Sequence, residues 1–346
     1  MSDSQAVQEY RTLEARILDA MRPGLSEDDF SALALEVFAF QCRRNGTYRA
    51  FAANLATPRS WREIRAVPQA AFKRSRLSCV PFDAVGTVFR TSGTTGRTRG
   101  EHYLFNTGLY DAAIVRGWDW LGVERLPLRL IARRRDDAPD SSLGHMFAVL
   151  ARERSTGNAE WFVDRDGSLD VEGFQRSVEQ GKPVGVLGTA LGFLNMFEKM
   201  DKQRISLPRG SFVMETGGYK GSGRELVKRD LYKMVDQFLG VPEQNIINEY
   251  GMTELSSQFY TRGTDRPHMA PPWLKALVID AETGKEAAVG GAGILRIFDL
   301  ANLNSALAIE TQDLAIRLED GFALLGRDPS ALPRGCSRAA DELMRR

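Results

Sequence analysis

Apolar and polar positions change their rhythm along this chain. Near the start, Leu33, Leu35, Val37 and Phe38 recur at near-helical spacing behind Ser26 and Asp29. The serine and the aspartate three positions later read as a capping box, which predicts a helix there. From about residue 85 short apolar runs of β type appear, at 85–89, 128–131, 184–187, 212–214 and 245–247. Stretches of helical character lie between them, at 108–121, 171–180, 191–200 and 224–239. Strand–helix alternation of this kind predicts a mainly parallel sheet covered by helices. The segment 265–273 contains Pro267, Pro271 and Pro272 and reads as a boundary. Beyond it, runs at 277–279, 293–298, 307–310, 314–317 and 322–325 predict short strands. Glu282-Thr283-Gly284 and Glu319-Asp320-Gly321 are turn sequences between them. The expected fold is α/β: a helical start with a large helix-covered sheet domain over 1–265, a small β-rich subdomain over 266–327, and a tail over 328–346. No internal repeat or low-complexity segment interrupts it.

Composition narrows the class. The 346 residues suffice for a large core, and 43% hydrophobic with 26% charged content describes a folded chain rather than a disordered one. With 46 basic against 45 acidic residues, bulk charge announces neither a nucleic-acid nor a membrane partner. Arg133-Arg134-Arg135 runs straight into Asp136 and Asp137 and reads as a solvated turn. The polar start lacks the basic-then-apolar order of a secretory signal, and no apolar run approaches the roughly 20 residues of a membrane span. Cys42, Cys79 and Cys336 lack any short spacing, which fits reduced thiols in a cytoplasmic protein. Cys42 and Cys79 read as core residues. His102, His145 and His268 are scattered, so a metal site of nitrogen or sulfur ligands has little to build on.

The densest chemical signal is Thr91-Ser92-Gly93-Thr94-Thr95-Gly96-Arg97-Thr98-Arg99-Gly100, between the run at 85–89 and a helix near Thr107. Residues drawn only from Thr, Ser, Gly and Arg are poor packing material. Glycines let a backbone approach a ligand, exposed N–H groups form an anion cradle, and Arg97 and Arg99 add charge for phosphate. The spacing is not that of a Walker A loop. A surface linker is the competing reading.

This loop resembles the phosphate loop of the adenylate-forming superfamily, which includes acyl-CoA synthetases, peptide-synthetase adenylation domains and firefly luciferase. Many members end it in Pro-Lys-Gly. Here Thr98-Arg99-Gly100 keeps the charge without the proline. Asn248-Glu249-Tyr250-Gly251-Met252-Thr253-Glu254 resembles the superfamily's Tyr-Gly-x-Thr-Glu motif. The resemblance implies that Glu254 holds Mg²⁺, Thr253 contacts phosphate and Tyr250, beside Gly251, packs on adenine. A hard cation that bridges phosphate oxygens does prefer carboxylate. An ordinary strand end competes with this reading. Glu215-Thr216-Gly217-Gly218-Tyr219-Lys220-Gly221 closes another strand. Gly217 and Gly218 suit a crevice at the carboxyl end of an open α/β sheet, where the superfamily has an adenine-contacting segment, although a tight turn explains them too. Thr311-Gln312-Asp313 resembles Thr-Gly-Asp, which implies Asp313 on the ribose hydroxyls. Gln312 stands in the glycine's place. Gly326-Arg327-Asp328 resembles the hinge that precedes a mobile C-terminal domain and implies Arg327 at ribose or phosphate.

That domain, with its catalytic lysine, is not expected from this sequence: 18 residues follow Asp328 and none is lysine. The overall length, Ser141-Ser142-Leu143-Gly144-His145-Met146, the Glu-Thr-Gly-Gly segment and Arg334-Gly335-Cys336-Ser337 together resemble the LuxE family of acyl-protein synthetases. The family implies ATP and Mg²⁺, a fatty acid, an acyl-adenylate, a thioester on a cysteine near the C-terminus, and a partner reductase that takes the acyl group. Cys336 is the cysteine that matches. It lies nine residues beyond Arg327, so an extended tail reaches about 30 Å. Arg334 and Arg338 would favour its thiolate. A packing role is the alternative for Cys336. His145 matches a position lining the acyl pocket, or is a buried structural histidine. Two rival functions stay open: an acyl- or aryl-CoA ligase that uses CoA as acceptor, and a non-catalytic adenylate-binding subunit.

Overall fold

A computed structural model describes residues 3–53, 56–92, 98–179, 181–201, 203–217 and 226–327. The chain opens with α1 (Asp3–Ala20), α2 (Glu27–Arg44) and α3 (Gly46–Ala52). Ser26 starts α2 as its sequence predicts. The serine Oγ accepts from the Asp29 N–H at 3.1 Å and donates to the Asp29 carboxylate at 2.7 Å, a cap that stabilises by about 1 kcal/mol. Acidic residues fill the first turn of α2 and Arg43 and Arg44 the last, which complements the helix dipole. The buried stripe is Phe30, Leu33, Ala34, Val37 and Phe40, spaced three and four apart. Leu35 and Phe38 flank it, half-buried.

Next come β1 (Val67–Pro68), α4 (Ala71–Arg74), β2 (Thr87–Arg90), β3 (Glu101–Leu104) and α5 (Gly108–Leu121). β2 and β3 pair antiparallel, with Thr87 opposite Leu104 and Arg90 opposite Glu101. The apolar run at 85–89 therefore forms a hairpin and is not a strand of the parallel sheet. The 91–100 connection is shorter than the dozen or more residues a parallel crossover needs. β3 escapes a sequence reading because only His102 and Leu104 face inward, while Glu101 and Tyr103 are partly exposed.

The middle of the chain alternates as expected: β4 (Leu128–Ile131), α6 (Ser142–Glu153), β5 (Glu160–Trp161), α7 (Val171–Val178), β6 (Gly185–Thr189), α8 (Ala190–Met200), β7 (Phe212–Thr216), α9 (Lys228–Leu239), β8 (Ile246–Tyr250) and β9 (Phe259–Arg262). The sheet order is β5-β4-β6-β7-β8-β9, parallel except for the antiparallel edge strand β9. Its central strands are buried along almost their whole length, as covered parallel strands are. Phe174 of α7, Phe193 and Phe197 of α8 and Leu231 and Leu239 of α9 pack with Val186, Val213 and Ile246 of the sheet.

The chain continues through β10 (Leu274–Ile279), β11 (Ala292–Asp299), β12 (Ala308–Leu318) and β13 (Gly321–Arg327). They form a sheet in the order β1-β12-β11-β10 with β13 also on β12, antiparallel except for the β1–β12 pair. The two runs at 307–310 and 314–317 are one strand, β12, because the polar Thr311-Gln312-Asp313 between them stays extended. Glu319 and Asp320 turn β12 into β13, and Gly321 takes the positive φ of 106° that follows.

The described residues group into two compact units. The first draws on Met1–Trp120, Met252–Gln258 and Pro267–Arg346, and the second on Leu121–Gly251 and Phe259–Arg266. Within the first, buried Gln41 of α2 donates to the carbonyls of Asn302 and Leu303 and accepts from the Leu307 N–H. The β-rich segment and the opening helices thus share one core, in which Trp61 meets Phe30 and Phe298 edge-on. No helix among the described residues is long and apolar enough to cross a membrane.

Candidate active site

In the first unit, three side chains hold the Thr253–Glu254 backbone and carboxylate. Gln69 donates its amide N–H to Glu254 Oε1 at 3.1 Å. Asn302 donates to the Glu254 carbonyl at 2.9 Å. His102 of β3 places Nδ1 2.8 Å from the Thr253 carbonyl and Nε2 2.9 Å from Ser305 Oγ. A carbonyl only accepts, so Nδ1 carries the proton and Nε2 accepts from the serine hydroxyl. Burial pushes the His102 pKa down to about 4, with the Thr253 carbonyl acting in the opposite direction. The ring is thus neutral near pH 7, as its bonding requires. Just beyond, buried Asp299 accepts from the N–H groups of Ser256, Ser257 and Ala301 and from the Ser257 hydroxyl, all between 2.7 and 2.9 Å. Burial raises its carboxyl to about 6 and these donors work against the rise. The segment carrying Thr253 and Glu254 is therefore fixed from both sides.

Of the glycine–threonine loop, Thr91, Ser92, Thr98, Arg99 and Gly100 are described. Gly93, Thr94, Thr95, Gly96 and Arg97 lie outside the described residues. Thr91 and Gly100 close the stem: the Thr91 N–H donates to the Gly100 carbonyl at 2.9 Å, and the Gly100 N–H to Thr91 Oγ1 at 2.8 Å. The Arg99 guanidinium folds back to donate to the carbonyls of Thr91 at 2.7 Å and Arg90 at 3.3 Å. Asp313 and Arg327 are direct cross-strand partners of β12 and β13. The Asp313 N–H donates to Thr311 Oγ1, which itself donates to the Leu295 carbonyl.

In the second unit, β7 and β8 lie side by side with Glu215 opposite Asn248 and Thr216 opposite Glu249. Gly217 follows β7 at a φ of 71°, a left-handed turn that a glycine takes without strain. Tyr250 ends β8 with its ring 5.9 Å from that of Phe259, and Gly251 next to it is exposed. Behind these ends sits a buried polar network. Tyr232 and Asn248 both donate to Glu215 Oε1, at 2.9 and 2.7 Å, and Lys228 donates to Asn248 Oδ1 at 2.6 Å. Burial raises the Glu215 pKa and lowers that of Lys228, and each charge opposes the other's shift. Glu249, which accepts from the Thr216 hydroxyl, is raised by burial to about 7. Gly218 lies outside the described residues.

His145 is buried on α6. Burial pushes the Cys42 thiol up to about 11, and raises that of fully buried Cys79 further, so neither offers a thiolate near neutrality. Cys336 lies outside the described residues.

Residues 3–342 match the family described as acyl-protein synthetase, LuxE. The chain belongs to the LuxE family. Two curated relatives carry the name long-chain-fatty-acid–luciferin-component ligase. The one from Aliivibrio fischeri is 23% identical over 82% of this chain and 78% of its own length. The one from Vibrio harveyi is 22% identical over 84% and 80%. Among solved structures, 2-hydroxyisobutyryl-CoA ligase in complex with its acyl-adenylate superposes with a TM-score of 0.66 at 12% identity, over 87% of this chain and 67% of the ligase. ATP-bound MatB from Rhodopseudomonas palustris gives 0.52 at 18% identity over 71% of this chain, which spans about half of MatB, 49%. These likenesses show the fold, that of adenylate-forming enzymes.

Set in the LuxE family, the structure adds residues that the sequence did not single out. Gln69, His102, Asn302 and Asp299 brace the 253–257 segment. Lys228 and Tyr232 sit under the ends of β7 and β8. His102 carried the one faint signal, a histidine two residues beyond the glycine–threonine loop.

Proposed function

We infer that this LuxE-family chain activates a carboxylic acid with ATP and passes the acyl group to a protein cysteine. A carboxylate oxygen attacks the α-phosphorus, the bond to the β-phosphate bridge breaks, and pyrophosphate leaves with that electron pair. A thiolate then attacks the acyl carbonyl of the mixed anhydride, forming a thioester and releasing AMP. The substrate class is a fatty acid, as the names of the Aliivibrio and Vibrio relatives say of those enzymes. The observation that carries the reading is the family match along almost the whole chain, with half-buried Thr253 and buried Glu254 held in a braced segment.

The residues present suit a magnesium ion. Glu254 offers carboxylate oxygen, the donor a hard cation prefers, and Gln69 orients that carboxylate through one of its two oxygens. Gln69 Oε1 is a second buried oxygen without a partner among the described residues. A divalent cation bound there would supply charge neutralisation for the phosphate chain. The superfamily resemblance supports a positioning role for the chain's own residues: Glu254 at the cation, Thr253 at phosphate, Asp313 at the ribose hydroxyls, Arg327 at ribose or phosphate, and Tyr250 and Gly217 at adenine. Cys336 on the C-terminal tail is the proposed acyl carrier, and an acyl-reducing enzyme the proposed partner.

The direct test is ATP–pyrophosphate exchange with Mg²⁺ across a panel of fatty and aromatic acids. Exchange that depends on a long-chain acid is the expected result. ATP binding with no exchange for any acid would overturn the reading in favour of a nucleotide-binding subunit. A CoA acceptor is the second reading, favoured by the likeness to 2-hydroxyisobutyryl-CoA ligase. Labelled acid recovered on CoA rather than on protein would establish it.

A further inference from the structure

On the face of the second unit's sheet that α9 covers, the side chains of β7 and β8 fall into layers. Residues two apart on a strand share a face. Val213 and Ile246 belong to the apolar core with Leu231, Val235 and Leu239 of α9. Glu215 and Asn248, a cross-strand pair, follow on that face. Tyr250 comes next along β8, and Gly217 next along the chain after β7. A polar layer thus separates the apolar core from the carboxyl ends of the strands, where open α/β sheets bind their ligands.

Helix α9 closes that layer. Its first residue, Lys228, donates from Nζ to Asn248 Oδ1 at 2.6 Å, and Tyr232 one turn later donates to Glu215 Oε1 at 2.9 Å. Asn248 Nδ2 donates to the same glutamate oxygen at 2.7 Å. The Asn248 amide therefore lies between an ammonium, which only donates, and a carboxylate, which only accepts when ionised. One of its two orientations satisfies both neighbours, and turning it over would set donor against donor and acceptor against acceptor. Local structure does not call for a lysine here. The first turn of a helix favours acidic side chains, and Val227 before it gives no side-chain cap. The lysine is half-buried as well. The contact with Asn248 and the charge of Glu215 offset both costs. The chemistry inferred above gives this ammonium no step.

We propose that Lys228 is a positioning residue for the purine end of the nucleotide: it locks the Asn248 amide against Glu215 and so sets the end of β8 and the ring of Tyr250. Pairing with β7 and β9 fixes β8 within the plane of the sheet. The anchor from α9 fixes its height above the helix, two residues before Tyr250. Lys228 acts through Asn248 and needs no contact with the nucleotide. The proposal rests on the activity inferred above, with Tyr250 and Gly217 at adenine. It gives a buried charge pair, which an apolar core would not otherwise keep, a task in that site.

The test uses the full-length chain. Affinities for ATP, AMP and inorganic pyrophosphate are measured by calorimetry, below every melting temperature. The proteins are wild type, Lys228→Met, the double variant Lys228→Met/Glu215→Gln, and Gly185→Ala as a destabilised control in the same sheet. Lys228→Met should bind ATP and AMP alike about tenfold more weakly, and pyrophosphate, which has no purine, as wild type does. In exchange, its KM for ATP should rise by that factor, with kcat and the KM for acid held within about twofold. The double variant leaves no buried charge alone, so it should regain melting temperature. It should still bind nucleotide weakly, because Asn248 has lost the donor that fixes it. Gly185→Ala should bind AMP as wild type does. A Lys228→Met variant that binds AMP normally overturns the proposal. So does pyrophosphate affinity that falls in step, a double variant whose affinity returns with its stability, or an equal loss in Gly185→Ala, each of which makes the role one of folding alone. Acid-dependent exchange in wild type is scored separately. Normal exchange with a silent Lys228 sinks the positioning role alone, and Lys228-dependent AMP binding without exchange sinks the activity alone. Wild type that binds neither nucleotide sinks both.

Discussion

His102 shows how one buried side chain sets the position of a motif it does not belong to. It can satisfy the Thr253 carbonyl and the Ser305 hydroxyl together only as the neutral Nδ1–H tautomer. His102→Ala would leave two buried polar groups unmet, at a cost of about 2–4 kcal/mol, read as a lower melting temperature. His102→Gln, with one donor and one acceptor, should recover part of that stability. If positioning is its role, the alanine variant at a temperature where it stays folded loses kcat and apparent Mg²⁺ affinity in exchange, while the KM for acid holds. Loss of all three in proportion to stability would assign it a packing role only. The pH dependence has a definite sign. The folded pKa, about 4, lies below the ordinary value of 6.5, so the unfolded chain binds the extra proton first. The stability from this group is complete above pH 6.5 and is lost as pH falls toward 4, by up to about 3 kcal/mol. The stability gap between wild type and His102→Gln should shrink by that order over the same window.

At the scale of elements, the ends of β7 and β8 carry the opposite sign. Glu249 has its carboxyl raised by burial from 4.5 to about 7. The folded state holds that proton when the unfolded chain has lost it. Its contribution is therefore complete below pH 4.5 and is lost as pH rises through 7. Glu249→Gln should gain stability relative to wild type between these limits, seen as converging and then crossing melting temperatures. A constant difference would contradict the burial argument. The same sheet allows a packing prediction. A Cβ at Gly185 of β6 would lie 2.4 Å from Phe212 Cζ and 2.8 Å from Leu128 Cδ2. Gly185→Ala should destabilise the second unit by about 1–3 kcal/mol, measurable by urea denaturation. The hairpin of β2 and β3 marks the limit of reading elements from pattern. The apolar run at 85–89 was visible, but its partner β3 is four residues with only two buried, and a period-two signal that short does not rise above chance.

For the molecule as a whole, the two proposed chemical steps are assigned to different parts of the chain and should come apart. Cys336→Ala should lose acyl label that survives denaturation, while acid-dependent pyrophosphate exchange persists to within about threefold. Label retained in that variant would move the acceptor elsewhere. Cys42 and Cys79 are poor substitutes, since burial raises both thiols. Much of this was legible along the chain. The strand–helix alternation, the Ser26 cap, the 91–100 loop and the 248–254 motif are local patterns of neighbouring residues, and local periodicity and dense hydroxyl, glycine and charge content need no knowledge of contacts. The braces were not legible. Gln69 meets Glu254 across 185 residues, and His102 meets Thr253 across 151 and Ser305 across 203. A lone glutamine or histidine carries no mark of the partner it will find. The raised Glu249 and the neutral His102 likewise follow from burial, which a sequence does not display. The sequence by itself determined the class of fold, the order of most elements and the motifs to which the chemistry is assigned by proposal. Tertiary structure decided which residues fix those motifs in place and what charge they carry, because both depend on distances that only the folded chain creates.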